Sequence, residues 1–204
     1  MKHLLATVLA CSLVTSTIAQ GNFEGITSTT PPSASGLFNG TAGWAFQAGS
    51  GFEIAELGVF DYLLQEAPIG PVTVGLWTEN GTLLASTQVS ATSLLFNQSR
   101  YTSISPVALI GGQTYFLGAY RSTGFTINVY GPEVGVGSAF APSPNIQYLG
   151  MASSATATFA MPQPEPGGGL LLYAGPNFLV PEPSSFALMG IGLLGLAIFR
   201  RHRK

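Results

Sequence analysis

Two runs of alternating residues joined by an Asn-Gly pair restrict this chain more than any other feature. Val72, Val74 and Leu76 alternate with Thr73, Gly75 and Trp77; Glu79-Asn80-Gly81 follows, and Leu83, Ala85, Thr87 and Val89 then resume the period. A period of two gives a strand with two distinct faces. An Asn-Gly pair between two such strands predicts a hairpin, because both residues tolerate positive φ. The same period recurs at Tyr115, Leu117 and Ala119 and at Phe125, Ile127 and Val129, and further strands are expected within 52–64, 101–109 and 176–180. Seven or more short strands with Gly- or Pro-rich turns predict an all-β domain, an antiparallel β-sandwich of jelly-roll type. Residues 21–40 are polar and read as a leader loop or a first irregular strand. The divisions drawn are therefore a leader at 20–40 and a sandwich at 41–180, with strand order open after Gly131.

The two ends follow different rules. Lys2, the apolar run Leu4–Val14 and the small residues Thr17 and Ala19 predict a signal peptide over 1–19. The Sec machinery would carry it and signal peptidase would cut after Ala19. Val8-Leu9-Ala10-Cys11 is loosely a lipoprotein box, but the apolar stretch ahead of Cys11 is very short. At the other end, Pro183–Phe199 is 17 residues without a charge. As a helix it spans roughly 25 Å, against a hydrocarbon core of about 30 Å, and the following arginines can snorkel across the difference. A core helix would not be apolar all round and end in Arg200-Arg201-His202-Arg203-Lys204. The reading is a single transmembrane helix over 185–199, with the basic tail 200–204 in the cytoplasm and the domain outside it. The precursor would be anchored in the inner membrane, and the final destination would be the cell envelope, cell surface or extracellular space.

Pro181-Glu182-Pro183-Ser184, an apolar Gly-containing stretch and the basic Arg200, Arg201, Arg203 and Lys204 together resemble the PEP-CTERM sorting signal of Gram-negative bacteria. The resemblance implies recognition by exosortase, a membrane transpeptidase-like enzyme that cleaves near the motif, so contact with the cytoplasmic membrane would be transient. A second copy, Pro164-Glu165-Pro166, lacks the basic cluster and reads as linker or loop. The middle also resembles a β-sandwich domain of unknown function common in bacterial exported proteins. Gly43-Trp44-Ala45-Phe46, Leu57-Gly58-Val59-Phe60-Asp61, Val74-Gly75-Leu76-Trp77, Gly81–Ser86 and Gly112–Tyr115 carry that likeness over roughly residues 40–130. It brings no catalytic residues with it.

Composition then narrows the chemistry. His3, His202, Lys2, Lys204 and Cys11 are the only His, Lys and Cys residues, and all lie in the terminal segments. Residues 20–180 therefore cannot build a Ser-His-Asp triad, a Cys-His pair or a Lys Schiff base, nor a disulfide. Zinc, whose structural sites use Cys or His, has no ligands there, and no cofactor is expected. Two arginines, Arg100 and Arg121, face eight carboxylates in this region, a net −6. Nucleic acid is thereby excluded as a partner. Glu53, Glu56, Asp61 and Glu66 cluster in sequence, but Glu53 and Glu56 have opposite parity and are expected on opposite faces, away from the paired geometry of a glycosidase. Asp61 is a candidate oxygen ligand for Ca²⁺, without a dense acidic loop around it. Trp44, Trp77, Tyr62, Tyr120 and Tyr130 either fill the core or form a platform for sugar rings. Trp77 is the surface candidate, because Val72, Val74 and Leu76 take the other face. Asn39, Asn80 and Asn97 head glycosylation-type triplets that read as turn chemistry.

Three functions result: a non-enzymatic exported protein of the envelope or extracellular matrix, a carbohydrate-binding module for exopolysaccharide with Trp77, Tyr120 and Asp61 as ligand residues, and a glycoside hydrolase.

Overall fold

The computed structural model describes residues 23–28, 36–61, 71–122, 125–127, 129–130, 140–166, 172–173 and 175–181. These residues form strands and connecting loops with no helix among them, so no described helix is long and apolar enough to cross a membrane. The helices expected at 1–19 and 185–199 lie outside the described residues. Asn22–Pro181 forms one compact unit.

Eleven of the described strands build two larger sheets. In chain order they are β1 (Phe23–Glu24), β2 (Thr41–Ala48), β3 (Phe52–Phe60), β4 (Val72–Thr78), β5 (Leu83–Val89), β6 (Leu94–Phe96), β7 (Ser99–Leu109), β8 (Thr114–Tyr120), β9 (Ile146–Ser154), β10 (Gln163–Pro164) and β11 (Pro176–Val180). The five-stranded sheet has the order β1-β11-β3-β7-β6 and the six-stranded sheet β10-β9-β2-β8-β4-β5. Every neighbouring pair is antiparallel. Three short ribbons accompany them, pairing 26–28 with 140–142, 36–38 with 125–127, and 129–130 with 172–173.

The sheets pack through their apolar faces, as alternation predicts. Val72, Val74 and Leu76 of β4 and Leu117 and Ala119 of β8 are buried against Leu57 and Val59 of β3. Phe178 is the hub, with ring centroids 5.3 Å from Phe46, 6.0 Å from Trp44 and 6.0 Å from Phe52. Pairs at this spacing add about 0.5–1.5 kcal/mol each beyond the area they bury. Trp44 is wholly core, and its Nε1–H donates to the Pro176 carbonyl at 2.9 Å.

Three local features differ from the sequence expectation. The β4–β5 loop spans residues 79–82, closed by Thr78 N–H to Thr82 O at 3.0 Å and Gly81 N–H to Thr78 O at 3.0 Å. Only Gly81 takes positive φ (89°); Asn80 instead uses Oδ1 to accept from Thr82 Oγ1 at 3.1 Å. In β3 the register shifts between Ile54 and Glu56. Phe52 and Ile54 face the core before the shift and Leu57 and Val59 after it, so the bulge places Glu53 and Glu56 on the same outer face. Finally, the fold takes in part of the segment drawn as leader. Of the two readings of 21–40, the strand is the one seen at Phe23–Glu24, and Ile26 is fully buried. Asn177 holds Ile26 through both backbone groups, accepting from its N–H at 3.0 Å and donating to its carbonyl at 2.8 Å.

Candidate functional site

The C-terminal exit of the domain is built by β11. All five of its residues are buried, with Phe178 and Val180 turned into the core. Val180 pairs with Phe23 and Leu179 with both Glu24 and Glu56. Pro181 follows at once and is exposed. Its missing N–H and fixed φ suit it to stop a ladder. The sorting residues Glu182, Pro183 and Ser184, the basic Arg200, Arg201, Arg203 and Lys204, and the cleavage residue Ala19 lie outside the described residues.

The other Pro-Glu-Pro copy, read as linker or loop, begins as the end of an edge strand at Pro164 and continues as loop through Glu165 and Pro166. Gln163–Pro164 forms β10, an edge strand paired with Ser153 and Ala152. Glu165 N–H donates to Met151 O at 3.1 Å, and its carboxylate accepts from Ser153 Oγ at 2.5 Å. Proline is tolerated here because an edge strand can leave one side of its backbone unpaired.

Two of the aromatic candidates, Trp77 and Tyr120, are brought together through Phe159, but not as an exposed platform; Trp44 belongs to the main core, and Tyr62 and the Tyr130 side chain lie outside the described residues. Trp77 does point away from the core, as parity predicts, yet it is only 4% exposed. The segment 155–162 crosses the outer face of the six-stranded sheet as a strap, and Phe159 lies 5.1 Å from the Trp77 ring. Ala45, Trp77, Phe116 and Ala152 make a second apolar cluster beneath Phe159 and Met161. Tyr120 is half-buried; its ring is 6.4 Å from Phe159 and its hydroxyl donates to Ala157 O at 2.9 Å. Alternation reveals which face a side chain takes, not what covers that face. Gly43, Gly118 and Gly75 stand in one row across three strands, and the strap fits over the last two. A Cβ on Gly75 would sit 2.4 Å from Trp77 and 2.5 Å from Phe159, and one on Gly118 3.1 Å from Pro162. That row was readable as three glycines, each two residues from Ala45, Phe116 or Trp77.

Asp61 follows β3 and forms an ion pair with Arg100, whose Nη1 also donates to Ser93 O at 3.0 Å. The carboxylate considered as a Ca²⁺ or ligand residue is thus partnered by a guanidinium. A carboxylate that the sequence analysis did not single out, Glu24, is more deeply placed. It is 4% exposed and accepts hydrogen bonds from the Tyr101 hydroxyl and, at 2.9 Å, from Asn97 Nδ2. Desolvation raises its pKa, with the two hydrogen bonds opposing. Burial, and then the neighbouring Glu24 charge, pushes the Tyr101 hydroxyl up as well. Glu56, flanking Leu179 from the other side, is also raised by desolvation, and its Oε2 is buried without a hydrogen-bond partner. Tyr101 fits because Gly58 leaves its ring room; a Cβ there would lie 2.4 Å from it.

Two of the open depressions among the described residues bear on the candidate site. One, of about 440 Å³, lies at an end of the sandwich and is lined by Thr78, Glu79, Asn80, Ile110, Gln113, Thr114 and Tyr115. The other, of about 410 Å³, runs between β5, the edge of the six-stranded sheet, and β7 of the other sheet, from Leu84–Thr87 to Ser103–Val107, with no charged residue.

No curated protein and no solved structure matches the chain. Residues 179–204, a segment that begins inside β11, match the family model of the PEP-CTERM protein-sorting motif, which implies an exported protein with exosortase as its processing partner.

Proposed function

We propose that this is a non-enzymatic envelope or extracellular-matrix protein, delivered and cleaved through its C-terminal signal. One observation carries the reading. The last strand of the fold ends at Val180, and the Pro-Glu-Pro of the matched segment begins at Pro181. A cut on the C-terminal side of Val180 would release every described strand intact. The lack of His, Lys and Cys in 20–180 supports a non-enzymatic role. The test is mass spectrometry of the mature C terminus in a host that carries exosortase. An end at or just beyond residue 181 supports the proposal; an end at Lys204, or upstream of Val180, defeats it.

A carbohydrate-binding role is the second reading, favoured by the end depression. Glu79, Asn80 and Gln113 offer it a carboxylate and two amides, groups suited to sugar hydroxyls. A glycan array probed with the secreted protein and with Asn80→Ala separates the two; no bound glycan would leave the structural role alone.

A further inference from the structure

We infer that the end depression takes a cationic sugar chain, one whose residues carry free amines, and that Glu79 receives the ammonium group. The inference rests on the reading that this depression binds carbohydrate, and it adds the charge class of that carbohydrate.

Charge decides the class. Residues 20–180 hold two arginines against eight carboxylates, a net −6, with no lysine and no histidine. Neither arginine is placed to meet a ligand. Arg100 is held in an ion pair by Asp61, and Arg121 is 7% exposed. A uronate, sulfate or phosphate sugar is held by cationic donors, best by a guanidinium fork. This domain has no such donor to offer, and its net charge repels an anionic polymer before contact. A neutral polymer meets no repulsion, but it gains nothing from the carboxylates. A chain of amino sugars in the ammonium form is drawn to them from a distance.

Position makes Glu79 the receiving group. It is the one charged residue lining the depression, and it is exposed. No cation pairs with it among the described residues. Both walls around it are held in place. In its own turn Gly81 N–H donates to Thr78 O at 3.0 Å, and Asn80 Oδ1 accepts from both Thr78 Oγ1 and Thr82 Oγ1. With Oδ1 so occupied, Asn80 has its two Nδ2 hydrogens to offer. On the other wall, Ala48 N–H donates to Gln113 O at 3.1 Å and Gly112 N–H to Ala48 O at 2.7 Å, which ties the 110–113 turn to β2. The Tyr115 hydroxyl accepts from Ile110 N–H at 2.8 Å and keeps its own hydrogen for donation. Ile110 itself is 67% exposed.

The depression thus joins one carboxylate, amide and hydroxyl donors for ring hydroxyls, and an apolar side chain for the C–H face of a ring. Its volume of about 440 Å³ falls in the range of small-molecule sites, about 300–1,000 Å³. Groups fixed before binding lose little freedom when the ligand arrives.

The test is isothermal titration calorimetry of the secreted protein in mildly acidic, low-salt buffer, where sugar amines are charged. Three oligosaccharides of matched length are compared: an oligomer of glucosamine, the same oligomer N-acetylated, and an oligomer of a uronic acid. The glucosamine oligomer should bind more tightly than the acetylated one, by about fivefold if one exposed ion pair supplies the difference. Added salt should shrink that preference, and the uronate should not bind. Glu79→Gln should bring the first two oligomers level. Glu53→Gln, at the other exposed carboxylate of the described residues, on the outer face of the five-stranded sheet, should keep the preference. Equal affinity, or a preference for the acetylated or uronate oligomer, overturns the charge class and leaves the carbohydrate reading standing. No binding by the glucosamine oligomer overturns the inference, and the glycan array then decides alone whether the carbohydrate reading survives. A preference that survives Glu79→Gln, or is lost equally in Glu53→Gln, belongs to the overall field of the domain and overturns the site.

Discussion

Pro164-Glu165-Pro166 is stitched along the edge of the six-stranded sheet, whereas Pro181-Glu182-Pro183 begins only where the five-stranded sheet stops. The tripeptide is the same; the neighbours are not. In the first copy a Ser153 hydroxyl and the Met151 carbonyl engage Glu165, and the prolines serve an edge. In the second, a buried strand delivers an exposed Pro181, and the family model matches from residue 179 onward. A short motif therefore acquires meaning from the structure that presents it.

The comparison breaks most sharply if the copies are exchanged in function. Replacing Pro181, Glu182 and Pro183 by Ala should abolish the processed C terminus and leave the melting temperature of the domain unchanged. Mass spectrometry and a thermal melt of the same sample check both halves. The next largest effect falls on the strand that presents the second copy. Phe178→Ala should cost about 3–5 kcal/mol, as for other buried aromatics, measured by denaturant unfolding. A loss under about 1 kcal/mol would mean that β11 does not anchor the exit. Replacing Pro164, Glu165 and Pro166 by Ala should leave processing intact and cost about 1 kcal/mol, the net worth of the Ser153–Glu165 hydrogen bond. Impaired processing there would erase the distinction between the copies.

The smallest effect comes from the two glutamates that flank β11. Burial raises the folded pKa of Glu24, next to β11, above its unfolded value. Its contribution to stability is thus complete below the unfolded carboxylate pKa of about 4.3 and is lost as pH rises through the raised folded value. Glu56 acts with the same sign. Stability should therefore fall between that acid range and neutrality, and Glu24→Gln should make the slope shallower. An unchanged pH profile in Glu24→Gln would show that Glu24 does not titrate with folding.

The strands with clean alternation were readable from the chain: β4, β5 and β8 lie where the period placed them, and β11 fills the further candidate stretch 176–180. Less readable was whatever depends on a third layer or a single extra residue. Trp77 has the parity of a surface residue, but Phe159, 82 positions later in the chain, covers it. Glu53 and Glu56 have opposite parity, yet one bulge aligns them. Glu24 looked like part of a polar leader because its partners, Asn97 and Tyr101, are more than 70 residues away. Periodicity is a local property, and these three facts are products of long-range packing.

The pairing of β1 with β11 also sets a timetable. Phe23 stands against Val180, and Ile26 is held by Asn177 across 151 positions of sequence. A chain threaded through a membrane amino terminus first exposes Phe23 and Ile26 long before their partners emerge. Non-local pairings of this span are slow to form, and leave apolar surface open meanwhile. The sandwich can close only as the final residues before Pro181 come through, so completion of folding and arrival of the sorting signal become nearly one event.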